Sequence, residues 1–428
     1  MMWEVYRYHT NNRIPFYYIE PNFYFTYEFS PFVAPLPGQW MYLVFFIMGI
    51  SALGVSLGFF YRVSVLLFFL SYTYVFLLDK AQYNNHYYLI ILIAFLLLLV
   101  DAHRWSSVDQ KLRAGLHHEF IPYWHVFILR AQIVIVYVYA GIAKLNIDWL
   151  AGRPMRDWLL RRAYYPFAGP FFETEFAGLF FSYGGLLLDL TIGFLLLWRQ
   201  TRLPAFLALL FFHLMNKWLF NIGIFPYLMI AAIILFVDPD WPRKILRGAQ
   251  LVLPAAAPLK FRNRQAWVFG FVTLYLSLQI LIPLRHWLYP SYVAWSEEGH
   301  RFSWRMKLRG KTATEFGFIV TNPQTNESWL ADMRQDLTTR QISKMSTRPD
   351  MMIQYAHFLR NKLEQAGIQN PVIQAHAKVS LNGRVPQFIV DPSANLAEVP
   401  ANILAAYDWL LPLPTDLSPQ SYPLLDDD

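Results

Sequence analysis

Long apolar runs constrain this chain more than any other feature. A helix needs about 20 apolar residues to cross a bilayer. About eight runs approach that length: residues 40–60, 63–79, 87–101, 124–145, 176–198, 203–220, 222–237 and 266–284. Only 15% of the 428 residues are charged, against about a quarter in soluble domains. The sequence therefore predicts a mainly α, polytopic membrane helix bundle of about eight spans.

Basic residues in the connecting loops predict the orientation, because cytoplasmic loops carry an excess of Lys and Arg. Loops 102–123, 199–202 and 238–265 are basic and fall on one side, which we assign to the cytoplasm. The opposite loop, 146–175, also holds arginines and opposes this assignment. We expect a multi-pass protein of the cell (inner) membrane with both termini outside. The net charge of +7 fits such loops, and no basic patch interleaved with aromatic residues indicates a nucleic-acid partner.

Composition divides the chain into four segments. We expect an extended or interfacial lead-in at 1–38, a transmembrane helical catalytic domain at 39–285, a small extracytoplasmic α+β domain at 286–405 and a disordered acidic tail at 406–428. In the third segment, alternating apolar and polar residues predict strands, and a helical period predicts an amphipathic helix. The strands are Phe302–Leu308, Glu315–Val320 and Ala375–Leu381, and the helix is Asp350–Glu364.

Lys144 ends the fourth apolar run, directly after Ala140-Gly141-Ile142-Ala143. A charged Lys costs about 2.5–3.5 kcal/mol at the centre of a membrane helix and less toward its end. The long side chain can extend to water, which is the commoner outcome near the end of a span. Alternatively, burial removes the proton and leaves an amine that acts as a base.

Further ionisable side chains lie in or beside the apolar runs. An intramembrane ionisable group is a candidate functional residue by default. His213, within LALLFFHLMNKWLF, is either such a residue or a helix–helix hydrogen-bonding group. Asp189 is either a partner for a cation or a helix cap. His86 follows the turn-favouring pair Asn84-Asn85 and can also be an interfacial histidine bonded to backbone. Asp79-Lys80 is most simply an interfacial ion pair.

The chain contains no cysteine. Disulfides, a thiolate nucleophile and Cys-bound metal are therefore excluded. The histidines lack the spacing of metal ligands, so we predict no metal site.

Five segments follow one another along the chain: QWMYLVFFIMGISALGVSLGFFYR, YVFLLDKAQYNNHYYL, VYVYAGIAKLNIDW, FFHLMNKWLFNIGIFPYLMI and FSWRM. In order and spacing they resemble the vitamin K-dependent gamma-carboxylases, and the resemblance runs from about residue 36 to about 400. It implies an enzyme that oxidises reduced vitamin K, a naphthohydroquinone, with O2 to the 2,3-epoxide. The base formed in that reaction takes the γ-proton of a glutamate side chain, and the carbanion adds CO2.

The resemblance also implies roles for individual residues. Lys144 matches the family lysine that deprotonates the hydroquinone. His86 is implicated in the reaction on the quinone or the glutamate, and His213 in stabilising intermediates. The residues assigned to quinone binding are Asn84, Asn85 and Asn216. The residues assigned to contact with a glutamate-containing peptide or protein are Glu297, Glu298 and Trp304, although Glu297-Glu298 is more simply a solvated turn.

The chain departs from the animal enzymes of this family, which begin with one further helix, continue beyond the end of this chain and carry a disulfide. Quinol epoxidation is therefore better supported than protein carboxylation. Two alternatives follow: a quinol epoxidase without protein carboxylation, and a non-enzymatic quinone-binding or transport protein. A bare scaffold has no need for a Lys at the depth of Lys144.

Overall fold

The computed structural model describes residues 1–118, 120–220, 222–238, 241, 263–400 and 408–413. Within them, six helices are long and apolar enough to cross a membrane, and two further apolar helices are shorter. The long ones are α3 (Trp40–Leu57), α4 (Tyr61–Leu78), α7 (Tyr123–Ile142), α11 (Glu175–Leu197), α12 (Arg202–Phe220) and α14 (Asn263–Leu284); the shorter ones are α5 (Asn85–Leu99) and α13 (Phe225–Ile233). The predicted bundle of about eight spans is confirmed.

Short helices connect or flank these spans. They are α1 (Met2–Thr10), α2 (Arg13–Tyr18), α6 (Val108–Leu112), α8 (Ile147–Leu150), α9 (Met155–Leu160), α10 (Gly169–Phe172) and α15 (Val293–Ser296). The first two contradict the extended alternative for residues 2–18 of the lead-in, whereas the interfacial alternative stays a prediction. The reason is tertiary: α1 packs on α3, where Val5 lies 3.4 Å from the position of a Cβ on Gly49.

Glycine allows α7 and α11 to approach closely. A Cβ on Gly141 of α7 would lie 2.7 Å from Leu190 of α11, and a Cβ on Gly193 would lie 3.1 Å from Val134. Small residues permit such approach between membrane helices. This packing brings the end of α7, with Lys144 beyond it, against the polar face of α11.

The C-terminal domain is a four-stranded antiparallel sheet with two helices. The strands are β1 (Lys311–Thr321), β2 (Ser328–Leu330), β3 (Val372–Leu381) and β4 (Gln387–Phe388), in the order β2-β1-β3-β4. Burial alternates along β3, as in a strand with one buried face. The helices are α16 (Thr339–Met345) and α17 (Pro349–Gln365), and α17 covers the buried face through residues such as Tyr355, which contacts Phe318. The predicted strands Glu315–Val320 and Ala375–Leu381 and the predicted helix are confirmed.

The predicted strand Phe302–Leu308 is wrong. This segment is a loop in which Phe302, Trp304 and Lys307 have φ values of 61°, 54° and 48°. The left-handed region is incompatible with a β-strand. The loop is held by the membrane domain, since Tyr83 accepts a hydrogen bond from the Phe302 N–H and Asn85 donates one to the Arg305 carbonyl. Its burial does not alternate, since Ser303, Trp304 and Arg305 are all buried, so the alternation of apolar and polar residues does not correspond to the two faces of a strand.

Buried ion pairs fasten the sheet domain to the bundle. Lys80 is fully buried and its Nζ lies 2.7 Å from Glu28 and 2.8 Å from Asp350. The predicted Asp79–Lys80 pair is thus wrong, because consecutive side chains point away from each other. Asp79 instead accepts hydrogen bonds from the Ala81 N–H and the Gln341 side chain.

The last described residues do not match the expectation for the tail. Residues 408–413 pack on the sheet domain: Leu410 bridges to Val390, and Trp295 donates to the Leu411 carbonyl. Apolar side chains such as Trp409, 5% exposed, account for this packing. The rest of the expected acidic tail, 414–428, and residues 406–407 lie outside the described residues.

Candidate functional site

One large cavity lies at the junction of the bundle and the sheet domain. Its volume is about 810 Å³, within the range of small-molecule sites. The part between the membrane helices is lined by His86, Lys144, Asp189 and His213 together with apolar side chains. The part below the sheet domain is lined mainly by basic side chains, and the two parts are continuous.

Lys144 does not extend to water. It is 6% exposed, and its Nζ lies 2.5 Å from Asp189 Oδ2 and 3.2 Å from the Ala140 carbonyl oxygen. Asp189 is 5% exposed. Asp189 is therefore the partner of a cation, as one of its two sequence interpretations proposed, and it does not cap a helix. Because both side chains are buried and in hydrogen-bond contact, a proton can pass directly between Lys144 and Asp189 without passing through solvent.

The surroundings of Lys144 fix its position. Its Nζ lies 5.3 Å from the centre of the Trp149 ring, a distance at which a cation is attracted by the ring face. Trp149 is itself held by a hydrogen bond from Nε1 to the Ser182 carbonyl, at 2.8 Å. Gly185 completes the wall, since a Cβ there would lie 3.9 Å from Lys144 Cε.

The two predicted histidines both line the cavity. His213 is 1% exposed, and its Nε2 lies 2.8 Å from the hydroxyl of Tyr137 on α7. It is thus also a helix–helix hydrogen-bonding group. The His86 ring contacts Tyr87 and Phe225. Within the described residues His86 forms no side-chain hydrogen bond, so its ring nitrogens can face a ligand.

The three predicted asparagines also line the cavity. Asn85 is engaged on both sides, since it accepts from the Tyr83 hydroxyl at 2.8 Å and donates to the Arg305 carbonyl at 3.1 Å. Asn84 donates to the Gln82 carbonyl at 3.3 Å. Asn216 has no hydrogen bond to any described residue, which leaves its amide free for a ligand.

Six basic residues line the part of the cavity below the sheet domain, here called the basic vestibule: Arg305, Lys307, Arg309, Lys311, Lys344 and Arg348. Arg309 and Lys311 are paired with Glu297, the one carboxylate among the described residues of this part. The others form no ion pair with any described residue. Arg305 is 8% exposed and its Nε has no hydrogen-bond partner there. Among the described residues, the vestibule therefore holds more basic side chains than acidic ones.

Burial and mutual repulsion lower the pKa values of the lysine amines in the vestibule. Burial lowers the pKa of Lys344 to about 7, and Arg348, Arg340 and Arg309 act in the same direction. Burial lowers the pKa of Lys311 to about 8, although Glu297 opposes this shift. Burial raises the pKa of Glu297, but Arg309 and Lys311 outweigh it and hold that pKa below its usual range. Lys344 thus titrates near neutral pH.

The residues assigned to peptide contact are separated. Glu297 lies in the vestibule, buried rather than in a solvated turn. Glu298 and Trp304 do not line the cavity. Glu298 accepts a hydrogen bond from Ser291, and Trp304 is 1% exposed and stacks on Tyr88. Both side chains hold the loop in place.

Sequence reasoning missed Tyr137 and the vestibule. Tyr137 precedes Lys144 by seven residues, a spacing that puts both on one helix face, and this signal could have found it. Lys344 and Arg348 offered no local signal, because the fold alone brings α16 and β1 to the mouth of the bundle. Among the described residues, no group of three or more His, Asp or Glu side chains is placed to hold a metal ion.

Two family models match this chain, and between them they span the residues that line the cavity. A model of the HTTM domain matches residues 1–241, more than half of the chain. A model of the vitamin K-dependent gamma-carboxylase lumenal domain matches residues 264–416, a range that includes the last apolar helix. No solved structure matches. Lys144, Asp189 and both histidines fall within the first match, and the basic vestibule falls within the second.

Proposed function

The chain belongs to the HTTM family and its residues 264–416 match the lumenal domain of vitamin K-dependent gamma-carboxylases, and from that premise we propose that it is a membrane vitamin K-dependent gamma-glutamyl carboxylase. Its reaction oxidises vitamin K hydroquinone with O2 to the epoxide and carboxylates glutamate with CO2. One observation supports this proposal above all: the buried Lys144–Asp189 pair and the basic vestibule line the same cavity.

Lys144 is the proposed base. Only a neutral amine accepts a proton, so its ammonium must first release one. Asp189, 2.5 Å away, can take that proton, and the pair is then neutral. The amine that results faces the cavity and can deprotonate a quinol hydroxyl. Asp189 acts on the reaction through Lys144.

The cavity residues fit a naphthoquinone. Apolar side chains such as Val136, Leu188 and Met229 form the walls, while His86, His213 and Asn216 supply polar groups at separate points. A site of this kind, apolar with a few convergent polar groups, is typical for a small aromatic ligand. When bound, vitamin K supplies the oxidation chemistry that generates the strong base. The surrounding apolar side chains exclude water, which would protonate a carbanion.

The basic vestibule fits a substrate carboxylate. Arg305, Lys344 and Arg348 form no ion pair with a carboxylate among the described residues, and Arg305 is 8% exposed. A charged group as buried as Arg305 is normally paired. An acidic side chain entering from the sheet-domain side would supply the missing partner. Because the vestibule opens into the Lys144 cavity, such a side chain would arrive next to the quinol site. This feature favours carboxylation over epoxidation alone.

Vestibule and sheet domain would face the extracytoplasmic side of the cell (inner) membrane, as the loop charges suggest. A glutamate-containing peptide or protein on that side is the proposed partner. O2 and CO2 are the proposed co-substrates, and no metal is invoked.

The test uses purified wild-type protein and Lys144→Met in lipid nanodiscs. Each is supplied with reduced vitamin K under air, a glutamate-rich peptide and labelled bicarbonate. We expect wild type to form epoxide and fix label in the peptide, and Lys144→Met to do neither while its spectrum and elution remain native. Epoxide without fixed label would support the epoxidase alternative. No epoxide from folded wild type would support the quinone-binding or transport alternative.

A further inference from the structure

A second cavity, of about 300 Å³, lies where the membrane helices meet the sheet domain. Its walls are α8, the segment that leads into α9, the first turns of α11 and the turn between β3 and β4. It shares no lining residue with the Lys144 cavity. Its charged lining residues within the described part of the chain are three arginines and two carboxylates: Arg153, Arg156, Arg384, Asp148 and Glu175.

One of the two carboxylates is already satisfied by the sheet domain. Asp148 Oδ2 accepts hydrogen bonds from Asn382 Nδ2 at 2.8 Å and from Arg384 Nη1 at 3.0 Å, and Asp148 Oδ1 accepts one from Arg384 Nη2. These bonds fasten the β3–β4 turn to α8. Since both oxygens of Asp148 are engaged there, Asp148 does not pair with the other two arginines.

The remaining two arginines keep most of their donors unused. Arg153 donates from one nitrogen to Asp157 at 3.0 Å, and Arg156 donates from one nitrogen to Glu175 at 2.8 Å. All three nitrogens of a guanidinium can donate, and the other two of each arginine bond no described residue. The Glu175 side chain is 76% exposed, and so exposed a pair contributes little. Arg156 can therefore exchange Glu175 for a better anion.

Close backbone contacts hold both arginines in the cavity wall. A Cβ on Gly178 of α11 would lie 3.0 Å from Arg156 Cβ, and a Cβ on Gly383 of the β3–β4 turn would lie 3.3 Å from Arg153 Nη1. The two glycines thus let α11 and the turn press against the arginines. Side chains that are already positioned lose less freedom when a ligand binds.

The cavity opens at the level of the lipid headgroups. Glu175 begins α11, and Leu179, one turn into the apolar helix, also lines the cavity and is 40% exposed. Ile147 on the opposite wall is 57% exposed. Charged and exposed apolar side chains therefore meet at one opening, which suits a molecule with a charged head and apolar chains.

We propose that this cavity binds the phosphate of an anionic phospholipid, with Arg153 and Arg156 as its donors. Guanidinium groups bind phosphate in bidentate geometry. A choline or ethanolamine ammonium would add a cation beside three guanidinium groups, so a headgroup such as glycerol is favoured. The role also accounts for arginines in loop 146–175, whose basic residues oppose the orientation predicted by the other loops.

Binding would strengthen the contact between the two domains, because the phosphate would lie between α9 and the β3–β4 turn. A ligand that binds only the folded protein raises its thermal midpoint with increasing concentration. The inference does not depend on the proposed function, and its test uses no catalytic readout.

The experiment measures the thermal midpoint of delipidated protein in a neutral detergent. The titrated ligands are dioleoylphosphatidylglycerol, dioleoylphosphatidylcholine and inorganic phosphate. The variants are Arg156→Gln, Arg156→Lys and Arg153→Gln. Arg161→Gln is the matched control, because Arg161 is an exposed arginine of the same loop that does not line the cavity.

We expect phosphatidylglycerol to raise the midpoint saturably, and Arg156→Gln and Arg153→Gln each to weaken its apparent Kd about tenfold, as loss of a charge-assisted hydrogen bond does. Arg156→Lys should recover part of the affinity, and Arg161→Gln should match wild type. If Arg156→Gln does not fold, Arg153→Gln carries the same expectation.

Three results would overturn the proposal. The first is an equal affinity for phosphatidylglycerol in the cavity variants and in Arg161→Gln. The second is protection by phosphatidylcholine at the same concentrations, which would indicate a general effect of lipid. The third is protection by inorganic phosphate while phosphatidylglycerol has no effect, which would assign the arginines to a free phosphate group.

Discussion

Lys144 Nζ and Asp189 Oδ2 lie 2.5 Å apart, both buried, at the point where α7 and α11 pack through Gly141. Each group is the other's principal partner. Removing one member of a buried pair leaves an uncompensated charge and costs about 3–5 kcal/mol, whereas replacing both by apolar residues is often neutral.

We therefore expect Lys144→Met to lower the free energy of unfolding by about 3–5 kcal/mol, and Lys144→Met/Asp189→Leu to recover most of that loss. The measurement is denaturant unfolding in mixed micelles. Both variants should lack epoxidation, since neither contains the amine. A double variant as unstable as the single one would show that the two side chains are not energetically coupled.

Asp189→Asn keeps the size of the side chain but removes the carboxylate that can take a proton from Lys144. Proton transfer by a positioned group contributes about 10²–10⁴-fold to rate, so we expect epoxidation to fall by about 10²-fold. Asp189→Glu retains a carboxylate and should recover part of the rate. The assay is initial epoxide formation at saturating quinol. If Asn supports the wild-type rate, Asp189 only positions the lysine.

Tyr137→Phe removes the hydroxyl that bonds His213 Nε2 at 2.8 Å. A buried polar group left without a partner costs about 1–3 kcal/mol. We expect a stability loss of that size and slower turnover, because the His213 ring is then free to turn. Tyr139→Phe is the control: it loses a bond to the Ile280 carbonyl, and Tyr139 does not line the cavity. Equal turnover in the two variants would show that the Tyr137 hydroxyl does not contribute to the reaction.

The vestibule should bind acidic substrate less well as pH rises. The pKa of Lys344 is lowered to about 7, so its positive charge is present below that pH and is lost as pH rises through it. We expect KM for a glutamate peptide to increase between about pH 6 and 8. Lys344→Arg keeps the charge throughout this range and should flatten the profile; an unchanged profile in that variant would assign the titration elsewhere, with Lys311 the next candidate.

Lys80→Met should detach the sheet domain from the bundle. Lys80 is fully buried between Glu28 and Asp350, and Arg301 also pairs with Asp350. Removal of the amine takes one charge-assisted hydrogen bond each from Glu28 and Asp350, but Glu28 is exposed and Asp350 keeps Arg301, so we expect a loss of about 1–3 kcal/mol. The measurement is the rate of limited proteolysis of the sheet domain, which should increase in this variant. Lys378→Met, which breaks an exposed pair with Glu315, should leave the proteolysis rate unchanged.

Local sequence was sufficient for the membrane-spanning helices and for the two long strands of the sheet. The apolar runs at α7 and α11 predict spans because a bilayer imposes a fixed length on any helix that crosses it. Alternation predicts β1 and β3 because one face of each strand is buried. The same rule failed at Phe302–Leu308, where hydrogen bonds between the backbone and the side chains of Tyr83 and Asn85 hold a loop instead of a strand.

For the candidate site too, the sequence indicates individual residues and the tertiary structure determines their arrangement. Residue type and depth alone mark Lys144, His213 and Asp189, because an ionisable group inside an apolar run is costly wherever the chain folds. His86 stands out only through the resemblance to the family. Their arrangement depends on the tertiary structure. Lys144 and Asp189 are 45 residues apart and meet only because Gly141 lets two helices touch. The basic vestibule likewise exists only because the sheet domain docks on the bundle, since no local pattern records which surfaces will face each other across a cavity.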